Sequence, residues 1–220
     1  MQFADSWTLL VLACYTGNLE AIGQLLAKGA DINHLTRDGY SPLIAAVAHG
    51  NLEVVQTLLE DDKVEVDLEA PWGATALIRA CGEGRSAIVW ELIEHDADVN
   101  LLTTTGDSAL MAAAGGGFVE IVELLTSRGA ALDTMNEQGF TALTRAVFHK
   151  RLPMVKLLCE KGADPLLVRL SVPNAAGLLT PLVVSGTRTG STRRHWRWRS
   201  APITRRSWTL SRPPRRTTAG

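Results

Sequence analysis

"GYSPLIAAVAHGNLEVVQTLL", residues 39–59, is one of five copies of a single pattern in this chain of 220 residues. Each copy has a Ser or Thr, a leucine two positions later, an alanine three positions after that, and then a second apolar stretch. Self-similarity at a fixed period is typical of a repeat architecture. The hydroxyl residue recurs at intervals of 33, 34, 33 and 33 positions, and the other copies occupy 6–26, 73–93, 106–126 and 139–159.

The first half of each copy has the chemistry of a turn followed by a short helix. A glycine such as Gly39 suits a tight turn, because glycine adopts a positive φ at little steric cost. The hydroxyl residue two positions later predicts an N-cap, whose side-chain oxygen accepts a hydrogen bond from an unpaired backbone N–H. Leu43 and Ala46 are three apart and share one helical face, and the small alanine lets a neighbouring helix approach closely. The predicted N-caps are Thr8, Ser41, Thr75, Ser108 and Thr141.

The second half of each copy predicts a left-handed cap and then a longer helix. Val55 and Leu58 mark the apolar side of that helix in the second copy, and similar residues recur in the others. No single turn–helix–helix unit could bury its apolar side alone, so stacked neighbours must share one core. The sequence therefore predicts an all-α solenoid of stacked helix-turn-helix units. The glycines predicted to end the first helices are Gly17, Gly50, Gly84 and Gly117.

These residues resemble the ankyrin repeat: the G-x-T-x-L start, the two-helix period near 33, and endings such as "LLAKGADIN" (25–33) and "LIEHDADVN" (92–100). The resemblance covers about residues 3–165. It implies an L-shaped stack with projecting β-turns, a concave face made by the turns and the first helices, and the binding of other proteins as its work. We predict an ankyrin repeat domain over 1–165, with repeats at about 3–35, 36–69, 70–102, 103–135 and 136–165.

Several positions depart from the family pattern. The histidine of the family's T-P-L-H is absent from every copy, which predicts a missing hydrogen-bond network between repeats. Lys150 replaces a capping glycine, at a cost of about 1–2 kcal/mol if the backbone there stays left-handed. The first helix, "LLVLAC" (9–14), has no polar side, so we expect an uncovered apolar surface unless upstream residues, a partner or a second copy covers it. In place of the histidine stand Val11, Ile44, Ile78, Met111 and Thr144.

Charge divides the chain into an acidic body and a basic tail. Residues 1–165 hold 11 Lys and Arg against 23 Asp and Glu, a net charge of −12. Residues 166–220 hold 11 Arg, no Lys and no acid, a net charge of +11. Pro, Ser, Thr, Gly and Arg dominate this tail without periodicity, which predicts disorder, with at most a degenerate sixth repeat start at "GLLTPLVVSG" (177–186).

Other interpretations of the tail stay open. The abrupt loss of acids and lysines is also what translation through an intron or in a shifted frame would give. "RRHWRWRS" (193–200) has the composition of an arm for nucleic acid or an anionic membrane surface. The opposite charges also allow the tail to fold back on the body.

No residue pattern predicts catalysis. "CGEGRSA" (81–87) joins two repeat helices rather than following a strand, so it is not a phosphate loop. The three cysteines have no metal-ligand spacing, and their odd number favours a reducing compartment. The start of the chain lacks the basic residues of a signal peptide, and no apolar run is long enough to span a bilayer. We therefore expect a non-enzyme without cofactor, metal or small-molecule substrate, located in the cytoplasm or alternatively the nucleus.

The predicted function is a protein–protein interaction module or scaffold that binds an unknown partner through the concave face and the β-turn tips. Aromatic residues next to the turns and at the ends of the first helices are the candidate anchors, because rigid rings are favoured at interfaces. We expect the rings of Tyr40, Trp72 and Phe140 to point outward. The alternatives are a regulatory segment of a larger enzyme such as a kinase, and nucleic-acid or membrane binding through the tail. The candidate partner-binding residues are Trp7, Tyr15, Tyr40, His49, Trp72, Phe140, Phe148 and His149.

Overall fold

The computed structural model describes residues 7–167, and within them ten α-helices form five consecutive pairs. This range contains no β-strand, only an isolated antiparallel bridge between Leu102 and Ser108. The all-α fold predicted from the period is confirmed. The repeat boundaries remain a prediction, and the tail from residue 168 onward lies outside the described residues. The helices are α1 (Leu9–Thr16), α2 (Leu19–Ala27), α3 (Pro42–His49), α4 (Leu52–Leu59), α5 (Ala76–Glu83), α6 (Ser86–Glu94), α7 (Ala109–Gly116), α8 (Val119–Ser127), α9 (Ala142–Phe148) and α10 (Leu152–Lys161).

The predicted turns and N-caps set the start of every first helix. Ser41 Oγ, for example, accepts a hydrogen bond from the N–H of Ile44 at 3.1 Å, and all five hydroxyl residues make the equivalent bond. In the β-turn before it, the N–H of Gly39 donates to the carbonyl of Thr36 at 2.9 Å, with φ at +75°. Only glycine adopts this conformation without steric strain, so the turn and the cap together fix where the helix begins.

α9, the first helix of the fifth repeat, lacks both the capping glycine and the family's histidine and is one residue shorter than the other first helices. Lys150 adopts a φ of +57°, so the backbone stays left-handed there and the condition for the predicted cost is met. Thr144, which stands in place of the histidine, is fully buried, and its Oγ1 accepts from the N–H of Thr141 at 2.6 Å. This reciprocal capping box satisfies two backbone donors within one repeat.

The helices form two layers around one continuous core. α1, α3, α5, α7 and α9 pack side by side as one layer, and the second helices α4, α6, α8 and α10 pack as the other. Leu58, Leu77 and Leu92 lie between the layers and are almost wholly inaccessible to water. Alanines such as Ala46 and Ala80 are equally buried and allow the close approach of first helices that the sequence predicted. Burial of these side chains is the main source of stability.

Side chains from each repeat pack on the capping glycine of the repeat before it. Asn51 lies against Gly17 and donates from Nδ2 to the carbonyl oxygens of Cys14 and Tyr15 at 3.1 and 3.0 Å. The ring of Phe118 lies so close to Gly84 that a Cβ there would overlap it. These glycines are therefore required twice, for their positive φ and for the space above them.

A second series of contacts joins the loops after the second helices. Asn33 Nδ2 donates to the carbonyl of Lys63 at 2.7 Å, and its Oδ1 accepts from the N–H of Glu65 at 2.9 Å. Asn100 bridges to the next loop in the same way. Asp67 and Asp133 occupy the same position but can only accept hydrogen bonds from the following loop. These bonds between loops link successive repeats, in a chain whose first helices lack the family's histidine.

Candidate protein-binding face

The first-helix face consists of the exposed sides of α1, α3, α5, α7 and α9 together with the turns that precede them. It is the face that the resemblance implies is concave, and it carries all eight candidate residues. The structure divides most of them into two clusters at opposite ends of the stack.

The N-terminal aromatic cluster contains Trp7, Tyr15, Tyr40 and His49. The ring centroids of Trp7 and Tyr40 are 5.0 Å apart, those of Trp7 and Tyr15 are 5.3 Å apart, and those of Tyr15 and His49 are 4.8 Å apart. Arg79 from α5 places its guanidinium 5.7 Å from the Tyr40 ring centroid. The Trp7–Tyr40 and Tyr15–His49 contacts join the first two repeats, and the tryptophan and tyrosine rings of this cluster also pack against the core.

The C-terminal aromatic cluster contains Phe140, Phe148 and His149. Phe148 is 59% exposed and meets Phe140 edge-on at 5.8 Å and His149 at 5.3 Å between centroids. Together with Gln138 and Arg145 these residues line a shallow depression of about 220 Å³. An exposed ring beside a polar-rimmed hollow has the chemistry of an interface anchor site.

Small residues lie between the two clusters. The helical position held by Tyr15 in α1 and Phe148 in α9 is held by Ala48, Gly82 and Gly115 in the three helices between. A Cβ added at Gly82 would meet nothing closer than Ala112 Cβ at 3.8 Å, so the surface there is low and open. The first-helix face therefore has a low centre with aromatic side chains standing at both ends.

Arginines on this face are held by carboxylates. Arg79 bonds Glu83 at 2.6 Å, Arg85 lies 3.7 Å from the same carboxylate group, and Arg145 bonds Asp107 at 2.6 Å. Burial lowers the pKa of Arg79, but its hydrogen bond with Glu83 and its contact with Tyr40 outweigh burial, so the pKa lies above the ordinary value. Arg79 and Arg145 occupy the same repeat position, one that the sequence interpretation did not select.

The orientation predicted for the turn rings is only partly right. Trp72 is exposed, at 43%, although one side of its indole lies on the preceding turn, where a Cβ on Gly39 would be 2.6 Å from Cη2. Phe140 is half-buried beside Phe148. The prediction is wrong for Tyr40, which is half-buried and packs against the core and Trp7. The sequence register identifies which residue stands in the turn, but it does not show which side chains of the adjacent repeats pack against that residue.

Trp90 is an exposed ring that the sequence interpretation missed. It lies on α6, on the opposite side of the stack from the first-helix face, and is 49% exposed. The signal was available, because the other copies hold Gly23, Gln56, Glu123 and Lys156 at this position, and none of these is a large apolar residue.

The cysteines are buried and free, and their environment suppresses nucleophilic chemistry. Burial raises the pKa of Cys14 to about 12 and that of Cys159 to about 11, and it also raises that of Cys81. All three thiols are therefore protonated at neutral pH. Within residues 7–167, no three His, Cys, Asp or Glu side chains lie close enough together to hold a metal ion. No helix in that range is long and apolar enough to cross a membrane.

A family model described as ankyrin repeats (3 copies) matches residues 2–70 and 77–168. The chain belongs to the ankyrin repeat family. The turns, N-caps and paired helices described above are the structural form of that match, and ankyrin repeats are protein–protein interaction modules whose family is generally non-catalytic.

Similar proteins are known from several animals. The chain is 31% identical over 100 residues to ankyrin repeat and SOCS box protein 3 of Homo sapiens, covering 44% of this chain and 19% of that protein. It is 38% identical over 95 residues to B-cell lymphoma 3 protein homolog of Mus musculus, covering 43% and 21%. It is also 35% identical over 93 residues to the ankyrin repeat and KH domain-containing protein mask of Drosophila melanogaster. That match covers 42% of this chain and 2% of the Drosophila protein. The chain thus spans about a fifth or less of the length of these relatives.

Proposed function

We propose that this chain binds a partner protein through its first-helix face and turn tips, without catalysing a reaction. The observation that carries the proposal is the pair of aromatic clusters at opposite ends of this face. Trp7, Tyr15, Tyr40 and His49 form one end, Phe140, Phe148 and His149 form the other, and Trp72 stands at a turn between them.

The energetics of interfaces favour this assignment. A few rigid side chains, often aromatic, account for most of the binding free energy of a protein complex. Phe148 and Trp72 are exposed, and the fold gives neither of them full burial. The low centre at Gly82 and Gly115 lets a bound segment approach the helices while its ends contact the rings. A partner about as long as the distance between the clusters fits this arrangement.

The experiment is a comparison of partner capture by three forms of the full chain. Wild type, a Trp72→Ser/Phe148→Ser double variant, and a Leu152→Ser control are immobilised and exposed to cell extract, and retained proteins are identified and then purified. Leu152 is half-exposed on α10, away from the first-helix face, so its loss removes a similar apolar surface elsewhere.

We expect a purified partner to bind wild type and control equally and the double variant at least ~30-fold more weakly, the size of one hot spot. Equal binding by all three forms contradicts the assignment of the face. Turnover of a substrate by the purified chain contradicts the non-catalytic part of the proposal.

A second candidate is supported by the size of the relatives. Their names include a SOCS box and a KH domain beside the ankyrin repeats, so repeats of this kind occur within longer multidomain proteins. The chain would then be the partner-binding segment of such a protein, for example a kinase or another enzyme. A full-length transcript that encodes a further domain tests this directly. Binding of nucleic acid or membrane by the tail stays a prediction, as does a cytoplasmic or nuclear location.

A further inference from the structure

The outer side of the stack carries an exposed tryptophan among carboxylates. We call this surface the outer acidic face and define it by Glu53 on α4, Trp90, Glu91 and Glu94 on α6, and Glu120 and Glu123 on α8. The three helices pack side by side, and Gln56 Nε2 donates to Glu91 across the first boundary at 2.6 Å. Trp90 lies one helical turn before Glu94. On α8, Glu123 holds the repeat position that Trp90 holds on α6.

Glu94 on this face pairs with an arginine, but three other carboxylates of the face differ in this respect from those of the first-helix face. Glu83 and Asp107, on the first-helix face, are paired with arginines. Glu53, Glu120 and Glu123 make no ion pair with any residue between 7 and 167. Carboxylates of one sign without counter-charges create a negative potential that attracts a cationic segment.

An arginine already docks on this face. Arg128, from the end of α8, forms a hydrogen-bonded ion pair with Glu94, and both side chains remain partly exposed. The pair shows that a guanidinium can bind a carboxylate one helical turn from Trp90 while both groups remain accessible to solvent. An indole face also attracts guanidinium groups directly, most of all where carboxylates add to the field.

The chain itself contains a segment of the matching chemistry. Residues 168–220 hold 11 arginines, three tryptophans and no acid, against 22 acids and 11 Lys and Arg in residues 7–167. This segment follows Leu167, beyond the end of α10, and α6 lies two helix spacings from α10, roughly 20 Å at the usual distance between packed helices. A segment of 53 residues spans that distance many times over at roughly 3.3 Å per extended residue.

We propose that residues 168–220 bind in cis to the outer acidic face around Trp90. Arginines of the segment pair with Glu53, Glu120 and Glu123, and the Trp90 ring supplies the apolar and cation–π contact. The proposal is independent of partner binding by the first-helix face, because it uses the opposite side of the stack.

The test is limited trypsin digestion of the full chain, with cleavage after the arginines between 188 and 216 followed by mass spectrometry. Digestion is run at ~0.02 M and ~0.5 M salt, since the higher concentration shortens the screening length to a few ångströms. A short arginine peptide in each tube corrects for the response of trypsin itself to salt. A Trp90→Ser/Glu120→Gln/Glu123→Gln variant is compared with a Trp72→Ser/Glu69→Gln/Glu137→Gln control, which removes the same groups from exposed turn tips, and circular dichroism confirms that both are folded.

We expect wild type and control to be cut ~fivefold or more slowly at low salt than at high salt, the effect of several exposed ion pairs acting together. The outer-face variant should be cut at the fast rate at both concentrations. Equal rates for wild type at both salts overturn the proposal. Loss of protection in the control but not in the outer-face variant overturns the assigned face, and protection that grows with protein concentration overturns the cis contact in favour of one between copies.

Discussion

The guanidinium of Arg145 on α9 donates a hydrogen bond over 2.6 Å to the carboxylate of Asp107, the turn residue of the preceding repeat. Arg79, at the same repeat position in α5, lies instead over the ring of Tyr40, which is again the turn residue of the preceding repeat. A side chain from one first helix thus holds the turn before it, by charge in one case and by a cation–π contact in the other. This position links adjacent repeats on the first-helix face.

The Asp107–Arg145 pair should contribute only modestly to stability. Both side chains are about a quarter exposed, at 27% and 28%, so water screens much of their attraction. A double-mutant cycle of Asp107→Ala and Arg145→Ala, measured by urea unfolding, should give a coupling of about 1 kcal/mol or less. The coupling should shrink further in ~0.5 M salt. A coupling of several kcal/mol that salt does not change would contradict the screened geometry.

Leu58 should be among the most sensitive core positions. It is fully buried between the two helix layers, so Leu58→Ala leaves a cavity and should lower the free energy of unfolding by about 2–5 kcal/mol. Leu152→Ala, which truncates a half-exposed leucine, serves as the control and should change it by less than about 0.5 kcal/mol. Similar melting midpoints for the two variants would be inconsistent with the register.

Two glycines with the same backbone conformation should respond differently to alanine. Gly84 and Gly29 both have positive φ, but a Cβ at Gly84 overlaps the Phe118 ring, whereas one at Gly29 meets nothing within 4 Å. Gly29→Ala should lower the free energy of unfolding by about 1–2 kcal/mol, through backbone strain alone. Gly84→Ala should lower it by about 1–3 kcal/mol more, because the added Cβ overpacks the site. Phe118→Ala should be less destabilising in the Gly84→Ala background than in wild type. Equal losses for the two alanine variants would show that the contact with Phe118 is unimportant.

Asp67 should weaken the fold when it is ionised. Burial raises its pKa, and the charges of Asp98 and Glu69 raise it further, against the opposing effect of the Asp98 N–H. A folded pKa above the unfolded value gives stability that is present at low pH and is lost as the pH rises through the folded pKa. Asp67→Asn should therefore raise the melting midpoint at pH 7, with a difference that shrinks toward pH ~3.

The asparagines at the equivalent position support the same expectation, because Asn33 and Asn100 add a donor bond to the next loop that an aspartate cannot make. Asp62→Asn removes an exposed charge from the same connection between α4 and α5 and controls for the change in net charge. A midpoint for Asp67→Asn that falls at pH 7 would rule out this account.

Tyr40 and Phe148 should separate the structural from the binding role of the rings. Tyr40→Ser removes contacts with Trp7, the core and Arg79, so we expect it to lower the melting midpoint clearly. Phe148→Ser removes a ring that is more than half exposed, so the midpoint should shift little. A larger loss of melting midpoint for Phe148→Ser than for Tyr40→Ser would support the outward orientation of Tyr40 that the sequence register predicted.

The sequence by itself determined the repeat, the pairing of a short and a longer helix in each copy, and the starts of the first helices. Hydroxyl residues, glycines and apolar residues at fixed spacing act locally, within one turn or one helix, so Ser41 and Gly39 specify the start of α3 without reference to distant residues. The register also showed that Lys150 stands where the other copies have a capping glycine, whereas the structure supplied its positive φ. The apolar residues on the outer side of α1 were equally visible, and Leu9 is 71% exposed.

Only the tertiary structure decided how side chains meet between repeats. Tyr40 is half-buried because Trp7 and Arg79, residues 33 before and 39 after it, lie against its ring. Phe118 packs against Gly84, and Arg145 donates a hydrogen bond to Asp107. No local spacing in the sequence predicts either contact. In a solenoid the period fixes which positions face each other, but the residues at those positions vary freely from copy to copy. Their packing therefore depends on the size and charge of each neighbouring pair, and only the stacked structure brings those pairs together.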